Sequence, residues 1–404
     1  MDSETTLIEN PFIATTDPTT LYDHYRHWRE QGPVSWSEQT HCWFTFSYPE
    51  TAVVLSQPGF DKRAFLERMQ HNFGPSVAGM LTSMPFFMEP PAHTRTRALL
   101  ASAFSERAVQ QLRPAIQTSV DTLLQVVQEQ RNMDVVADLA NPLPFLVIGA
   151  MLTVPESDYP LFEERCRILS VATDPFAQPE VHQAGAKVLE AFRVYFLERV
   201  AVRRRSPGTS LIDAIIQAHD EQNGQLSDEE IAAICINLIF AGTGTTTSLI
   251  GSLMGSLLSR PDQWSQLVQN RALTRPAIEE AARYETPVQF FGRGITEDIT
   301  LGQKHLHKGQ LVFAALGAAN RDPEGYPDPD RFDIARFTTP GTRPHLAFGR
   351  GFRYCLGAQL ARLEAEVVLE TCLSRFPTLQ MVDESLRWQP VPVERKLETL
   401  LVTW

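Results

Sequence analysis

Apolar positions recur at three- and four-residue spacing through most of this chain, as helices with one buried face require, while strict alternation is rare and short. The spacing and the capping residues predict helices over Leu21–Gln31, His93–Phe104, Ala115–Gln130, Pro142–Leu152, Asp158–Ser170, Val181–Arg205, Leu211–His219, Asp262–Asn270, Arg275–Tyr284 and Leu356–Arg375. Strand-like runs fall at Val34–Ser35 with Cys42–Phe46, Thr300–Leu301, Leu311–Phe313 and Thr399–Thr403. A chain so weighted is mainly α with small β-sheets.

One helix stands apart. Ser227 and Glu230 form a capping box, and the pattern that follows runs to about Ser259, a rod of about 50 Å at 1.5 Å per residue. Within it, the 28 residues from Ile231 to Leu258 carry no charge, which is long enough to span a bilayer. Composition argues for a buried helix instead. Only 16 of those 28 are apolar, four are glycine, and no basic cluster flanks either end. A helix apolar on most sides also suits the centre of a large domain.

From Asn320 to Pro344 the periodicity stops. Pro323, Pro327, Pro329, Pro340 and Pro344 forbid a helix, yet Tyr326, Phe332 and Phe337 supply apolar anchors, so an ordered meander is expected. No repeat or flexible linker interrupts the chain, and residues 1–404 are expected to form one domain.

Composition narrows the function classes. Hydrophobic residues make up 43% of the 404 and charged residues 21%, enough for a sizeable core. A net charge of −12 argues against nucleic acid or an anionic membrane as partner. Met1–Pro11 lacks the blocks of a signal peptide. Five scattered cysteines with no CxxC pair fit a reducing cytoplasm better than a disulfide framework or a structural zinc site.

The densest chemical signal is Phe348-Gly349-Arg350-Gly351-Phe352-Arg353-Tyr354-Cys355-Leu356-Gly357. Two glycines let backbone approach something bulky and flat. Cys355 then sits where a helix begins, and the unpaired N–H groups there, with Arg350 and Arg353, favour a thiolate. Such a thiolate suits a metal ligand or a nucleophile.

This segment resembles the cysteine-ligand loop of the cytochromes P450, F-G-x-G-x-R-x-C-x-G, at every defined position. The resemblance runs along most of the chain. Glu280-Ala-Ala-Arg283 is similar to the family's E-x-x-R helix and Pro329-Asp-Arg331-Phe332 to its P-x-R-F element, which implies a buried Glu280–Arg283–Arg331 cluster. By itself Glu280–Arg283 would be an i, i+3 surface pair worth a few tenths of a kcal/mol. The family implies a P450 fold with the long helix over haem b (iron protoporphyrin IX), and Cys355 on the iron. His93 and Arg97, in the segment from Glu89, together with Arg293 and His345, match positions that bind the haem propionates. Arginine can hold a carboxylate bidentately.

In the long helix, Ala241-Gly242-Thr243-Gly244-Thr245 resembles the family's oxygen-binding motif, A-G-x-[D/E]-T. Gly242 and Gly244 imply a local widening, with Thr245 beside the distal oxygen. The acid expected before the threonine is absent, and Gly244 holds its place. Helical spacing puts 237, 240, 241 and 245 on one face, so Asn237 and Phe240 are expected to look into the substrate cavity. Family likeness adds Phe86, Phe87, Val288, Gln289 and Leu397 to that pocket.

Three functions follow, in order of support. The first is monooxygenation of a small organic substrate with dioxygen and two supplied electrons, since a thiolate opposite the open iron site favours O–O cleavage. The second keeps the haem but uses peroxide, or couples or rearranges a substrate by radicals, as the missing acid at 244 invites. The third, a haem sensor, needs neither the complete loop nor Thr245. A separate ferredoxin or flavodoxin with its reductase is the expected electron source, meeting the basic surface around Arg350 and Arg353. A monomer is expected.

Overall fold

A computed structural model describes residues 7–14, 17–221, 226–383 and 385–404. Of the opening segment, residues 1–6 lie outside the described residues. The chain divides into two compact units.

The first unit comprises Met1–Asp61, Arg113–Leu143 and Thr245–Trp404, and it holds every sheet among the described residues. Its largest sheet runs Leu7–Ile8, Val34–Ser37, Cys42–Thr45, Leu311–Ala315, Phe290–Ile295, Phe60–Asp61. The two central strands, Cys42–Thr45 and Leu311–Ala315, pair in parallel and are buried throughout, so their sequences are nearly continuous apolar runs rather than alternating ones. Their Phe44 and Phe313 cluster with Phe12 and Phe290, with ring centroids 4.9–6.1 Å apart. Phe290–Ile295, absent from the sequence-based strands, pairs Arg293 with Val312.

The expected strand Thr399–Thr403 is two strands. Leu397–Thr399 pairs with Arg387–Trp388, whereas Leu401–Thr403 pairs with Asn132–Asp134 and Gln380–Met381. Asp134 makes the break. Its carboxylate accepts from the Leu400 N–H at 2.9 Å and the Thr399 hydroxyl at 2.7 Å, turning the chain between the two ladders.

The meander is ordered as expected. Apart from one turn of 3₁₀-helix at Arg336–Thr338 it has no regular structure, yet Tyr326 and Phe332 are buried. Asn320 pins its start, accepting from the Leu346 N–H at 2.7 Å and donating to Thr286 at 2.8 Å.

The second unit, Lys62–Leu112 and Pro144–Gly244, is helical. It contains Arg63–Phe73, Pro75–Ser83, Ala92–Ala101, Tyr159–Ala172 and Pro179–Arg205. Gly185 marks a close approach of helices in it. A Cβ there would lie 2.6 Å from Ala172 Cβ and 2.7 Å from Phe73, so only glycine lets these helices meet.

The long helix spans Asp228–Leu258; its residues to Gly244 belong to the second unit and the rest to the first. The capping box forms in both directions, with Ser227 N–H on Glu230 at 2.6 Å and Glu230 N–H on Ser227 Oγ at 3.2 Å. By length and apolarity the helix could cross a membrane. From Ile231 to Leu258, however, every position is buried except Asn237, Phe240, Ala241, Gly242, Gly244 and Thr245. Those at 237, 240, 241, 244 and 245 follow i, i+3, i+4, i+7, i+8 and define one face. A lipid-facing helix would expose far more apolar surface.

Candidate active site

The cysteine loop is shaped by two left-handed glycines, Gly349 and Gly351, both at φ +73°. Gly351 also needs its missing side chain, because a Cβ would sit 3.1 Å from Ser56 at the end of the helix Tyr48–Ser56. The turn closes with the Cys355 N–H donating to Phe348 O at 2.9 Å. Cys355 is exposed, and the other four cysteines are buried. Burial pushes the Cys235 and Cys372 thiols up to about 12. The following helix begins at Ala358 with Gly357 as its cap, not at Leu356, so Cys355 lies just ahead of its first turn. Arg353 is half-buried, Arg350 is exposed, and Phe352 and Tyr354 are exposed beside them in sequence.

Among the buried basic side chains of this unit are Arg293 and His345, both expected at the propionates. Arg293 donates from one guanidinium nitrogen to Gly292 O at 3.0 Å. His345 lies beside Phe337 and Phe348, with Nε2 3.0 Å from Glu279 and Nδ1 accepting from the Ala347 N–H at 3.2 Å. Glu279 also takes both arms of Arg362, at 2.6 and 2.9 Å. Burial alone would raise the Glu279 carboxyl; the hydrogen bonds from His345 and Arg362 outweigh it and hold it at about 2. Arg362 lies over the Phe348 ring at 4.3 Å, tying the pair back to the cysteine loop.

In the second unit the helix Ala92–Ala101 carries His93, buried, and Arg97, half-buried, one turn apart on one face. Lys62, which sequence reasoning missed, is buried there too, with its ammonium 3.9 Å from the centre of the Phe86 ring.

On the long helix, Thr243 turns its hydroxyl back to Ile239 O at 2.8 Å, away from the accessible face. A Cβ on Gly242 would meet Ile148 at 3.7 Å, an ordinary contact, so packing does not require glycine there. Packing does explain Gly255, where a Cβ would lie 3.1 Å from both Leu397 and Leu386.

The expected pocket residues separate. Phe86 is 39% exposed, whereas Phe87 is buried. Phe240 and Val288 are half-buried. Asn237, expected to look into the substrate cavity, accepts at its Oδ1 from the Phe86 N–H at 3.2 Å and so holds the loop that carries Phe86. Gln289 is buried and committed, accepting from the Tyr25 hydroxyl at 2.9 Å and donating to Thr286 O. Leu397 is buried against Gly251 and Gly255, two to three turns beyond Thr245.

The Glu280–Arg283 pair is fully buried and bidentate, at 2.7 and 2.8 Å. Its third member is Arg336, 3.1 Å from both Glu280 oxygens, rather than Arg331. Arg331 has an exposed side chain and contributes its carbonyl, to Arg336 at 2.9 Å and Arg283 at 3.3 Å. The meander's turns present backbone carbonyls inward, and a second guanidinium fits them.

The sequence model of the family described as Cytochrome P450 matches residues 37–390. The chain belongs to the cytochrome P450 family. It is 35% identical over 362 residues, 90% of each chain, to the "Biotin biosynthesis cytochrome P450" of Bacillus subtilis (strain 168). It is 34% identical over 393 residues to the "Cytochrome P450 monooxygenase PikC" of Streptomyces venezuelae, covering 95% of this chain and 91% of that one. Among solved structures it matches P450BioI, crystallised in complex with hexadec-9Z-enoic acid ligated acyl carrier protein, with a TM-score of 0.88 and 33% identity over 97% of this chain and all of that one. It is thus a P450 monooxygenase with the P450 fold, mainly α with small sheets.

Cytochromes P450 carry a haem-thiolate cofactor, and the donor set here fits one. A single exposed cysteine stands on a loop whose glycines bring backbone forward. In the same unit as Cys355, the basic side chains of Arg293 and His345 are buried and of a kind that can hold a carboxylate.

Proposed function

We propose that residues 1–404 act as one haem-thiolate monooxygenase domain, a cytoplasmic monomer that binds haem b and oxidises a small, largely apolar molecule. The observation that carries this reading is the complete loop around Cys355 together with a long helix whose accessible face centres on Ala241–Thr245. Cys355 supplies the thiolate that holds the iron, and His93, Arg97, Arg293 and His345 bind the propionates. When bound, the haem activates dioxygen with electrons from a separate ferredoxin or flavodoxin and its reductase. Arg350, Arg353, Phe352 and Tyr354 form a basic, aromatic surface suited to such an acidic partner.

Phe86, Phe240 and Val288 line the substrate side. Asn237 holds the Phe86 loop in place. Leu397 packs against Gly251 and Gly255, beyond Thr245 along the long helix.

A second reading keeps the cofactor and changes the outcome. Gly244 stands where the family's motif has an acid, which favours peroxide use, radical coupling or rearrangement over simple hydroxylation. A compound library screened for the spin-state absorption shift identifies ligands, and ¹⁸O₂ turnover of each separates the readings. Label in the product supports monooxygenation. Unlabelled coupled or rearranged product supports the second reading.

A further inference from the structure

A P450 without an acid at 244 must bring protons to Thr245 by another route, and the first unit contains a carboxylate suited to it. Ser248 Oγ donates to Glu394 Oε1 at 3.1 Å. Ser248 is 1% exposed and Glu394 half-buried, so the bond joins the helix interior to a carboxylate that solvent can reach. Ser248 lies three residues beyond Thr245, on the same side of the helix and with its Cβ about 5–6 Å away.

Glu394 is held rigidly. It bridges Val288, while the Gln289 N–H donates to Val393 O at 3.0 Å and the Arg395 N–H to Pro287 O at 2.8 Å. The neighbouring cation is turned elsewhere. The Arg395 guanidinium is bonded to Glu285 at 2.9 Å and lies 3.7 Å over the Trp388 ring. Two neighbouring hydroxyls are committed elsewhere, Thr243 to Ile239 O and Thr247 to Ala140 O at 2.9 Å.

We propose that Glu394, acting through Ser248, is the proton relay that serves Thr245 in place of the missing acid at 244. This rests on the haem-thiolate reading of Cys355 and Thr245 given above. In a hydroxylation, R–H + O₂ + 2 e⁻ + 2 H⁺ gives R–OH + H₂O. The electrons come from the iron–sulfur or flavin partner. Each proton passes from Glu394 to Ser248 to Thr245, and Glu394 takes a replacement from solvent, so the relay is unchanged after the cycle. Where relay fails, the same two electrons and two protons leave with O₂ as H₂O₂.

The test needs no substrate, because dioxygen alone is reduced either to H₂O₂ by two electrons and two protons or to two waters by four of each. The share leaving as peroxide is measured for the haem-loaded wild type, Glu394→Gln, Glu394→Asp, Ser248→Ala, Gly244→Asp and the Gly244→Asp/Glu394→Gln double variant. Glutamine keeps an acceptor for Ser248, so the fold is preserved while the proton is lost. The ratio of peroxide to water should rise on the order of tenfold in Glu394→Gln and Ser248→Ala, less than the 10²–10⁴-fold a positioned acid typically supplies, since water partly substitutes. Glu394→Asp should recover part of the loss, and Gly244→Asp should make Glu394→Gln silent.

A second readout uses carbon monoxide as probe. The infrared difference between CO-bound and CO-free reduced protein should contain a carboxyl band that Glu394→Gln removes. Wild-type partition in both Glu394→Gln and Ser248→Ala, or an infrared difference without that band, overturns the relay while the thiolate spectrum of Cys355 stands. Loss of that thiolate spectrum would overturn the underlying reading instead.

Discussion

Arg336 reaches Glu280 across 56 residues and places its Nε 3.1 Å from both carboxylate oxygens, so that one buried carboxylate holds two guanidinium groups. Arg336 also donates to Pro327 O at 2.7 Å, Asp328 O at 3.1 Å and Arg331 O at 2.9 Å. It therefore fastens the meander to the helix Thr274–Tyr284. Removing one partner of a buried charged cluster typically costs about 3–5 kcal/mol. Arg336→Ala should lower stability by about that much in thermal or urea unfolding of the haem-loaded protein. Arg331→Ala keeps the carbonyl that the cluster uses and should stay within about 0.5 kcal/mol of wild type. Equal losses in the two variants would return Arg331 to the cluster.

Asn237 and Phe86 give a local prediction in the second unit. The Phe86 amide is held by the Asn237 side chain, a bond worth about 1 kcal/mol. Asn237→Leu should speed hydrogen exchange at Phe86 by about fivefold, whereas Asn237→Asp, which keeps an acceptor, should leave it slow. Unchanged exchange in Asn237→Leu would mean that the loop is held by other contacts.

Glu279 links stability to pH. Its carboxyl falls from an ordinary 4.5 to about 2 because His345 and Arg362 bond the charged form more strongly than burial disfavours it. A depressed acid contributes its stability in full above 4.5 and loses it as the pH falls through about 2. The contribution is at most about 3 kcal/mol, from 1.36 kcal/mol per unit. Acid unfolding of wild type should therefore steepen across that window, and Glu279→Gln should flatten it while weakening the protein at pH 7. Parallel acid profiles for the two proteins would contradict the assignment.

What the sequence reveals depends on how far a residue's partners lie along the chain. The capping box at Ser227 and Glu230 and the one-sided stripe at 237, 240, 241 and 245 are set within one or two turns, and both are legible. The burial of Glu280 and Arg283 instead depends on distant partners, and only the family resemblance implies it. Arg336 is not legible, because the 320–344 segment has no periodicity and its bonds are to carbonyls that any residue could supply. Glu394 is invisible for the same reason: nothing near it in sequence marks a carboxylate 146 residues from the serine it meets. Phe290–Ile295 escaped notice as a strand because Gly292-Arg293-Gly294 breaks the apolar run. Leu356 and Gly357 read as helix, but the turn that frees Cys355 delays the first helical residue to Ala358.

The central claim is that Cys355 presents a thiolate to haem iron. The absorption spectrum of the reduced protein with carbon monoxide, compared with that of Cys355→Ala reconstituted with haem, tests it most directly. The account predicts the red-shifted band of thiolate-ligated haem in the wild type and its loss in Cys355→Ala. The same red-shifted band in both proteins would place the ligand elsewhere and contradict the claim.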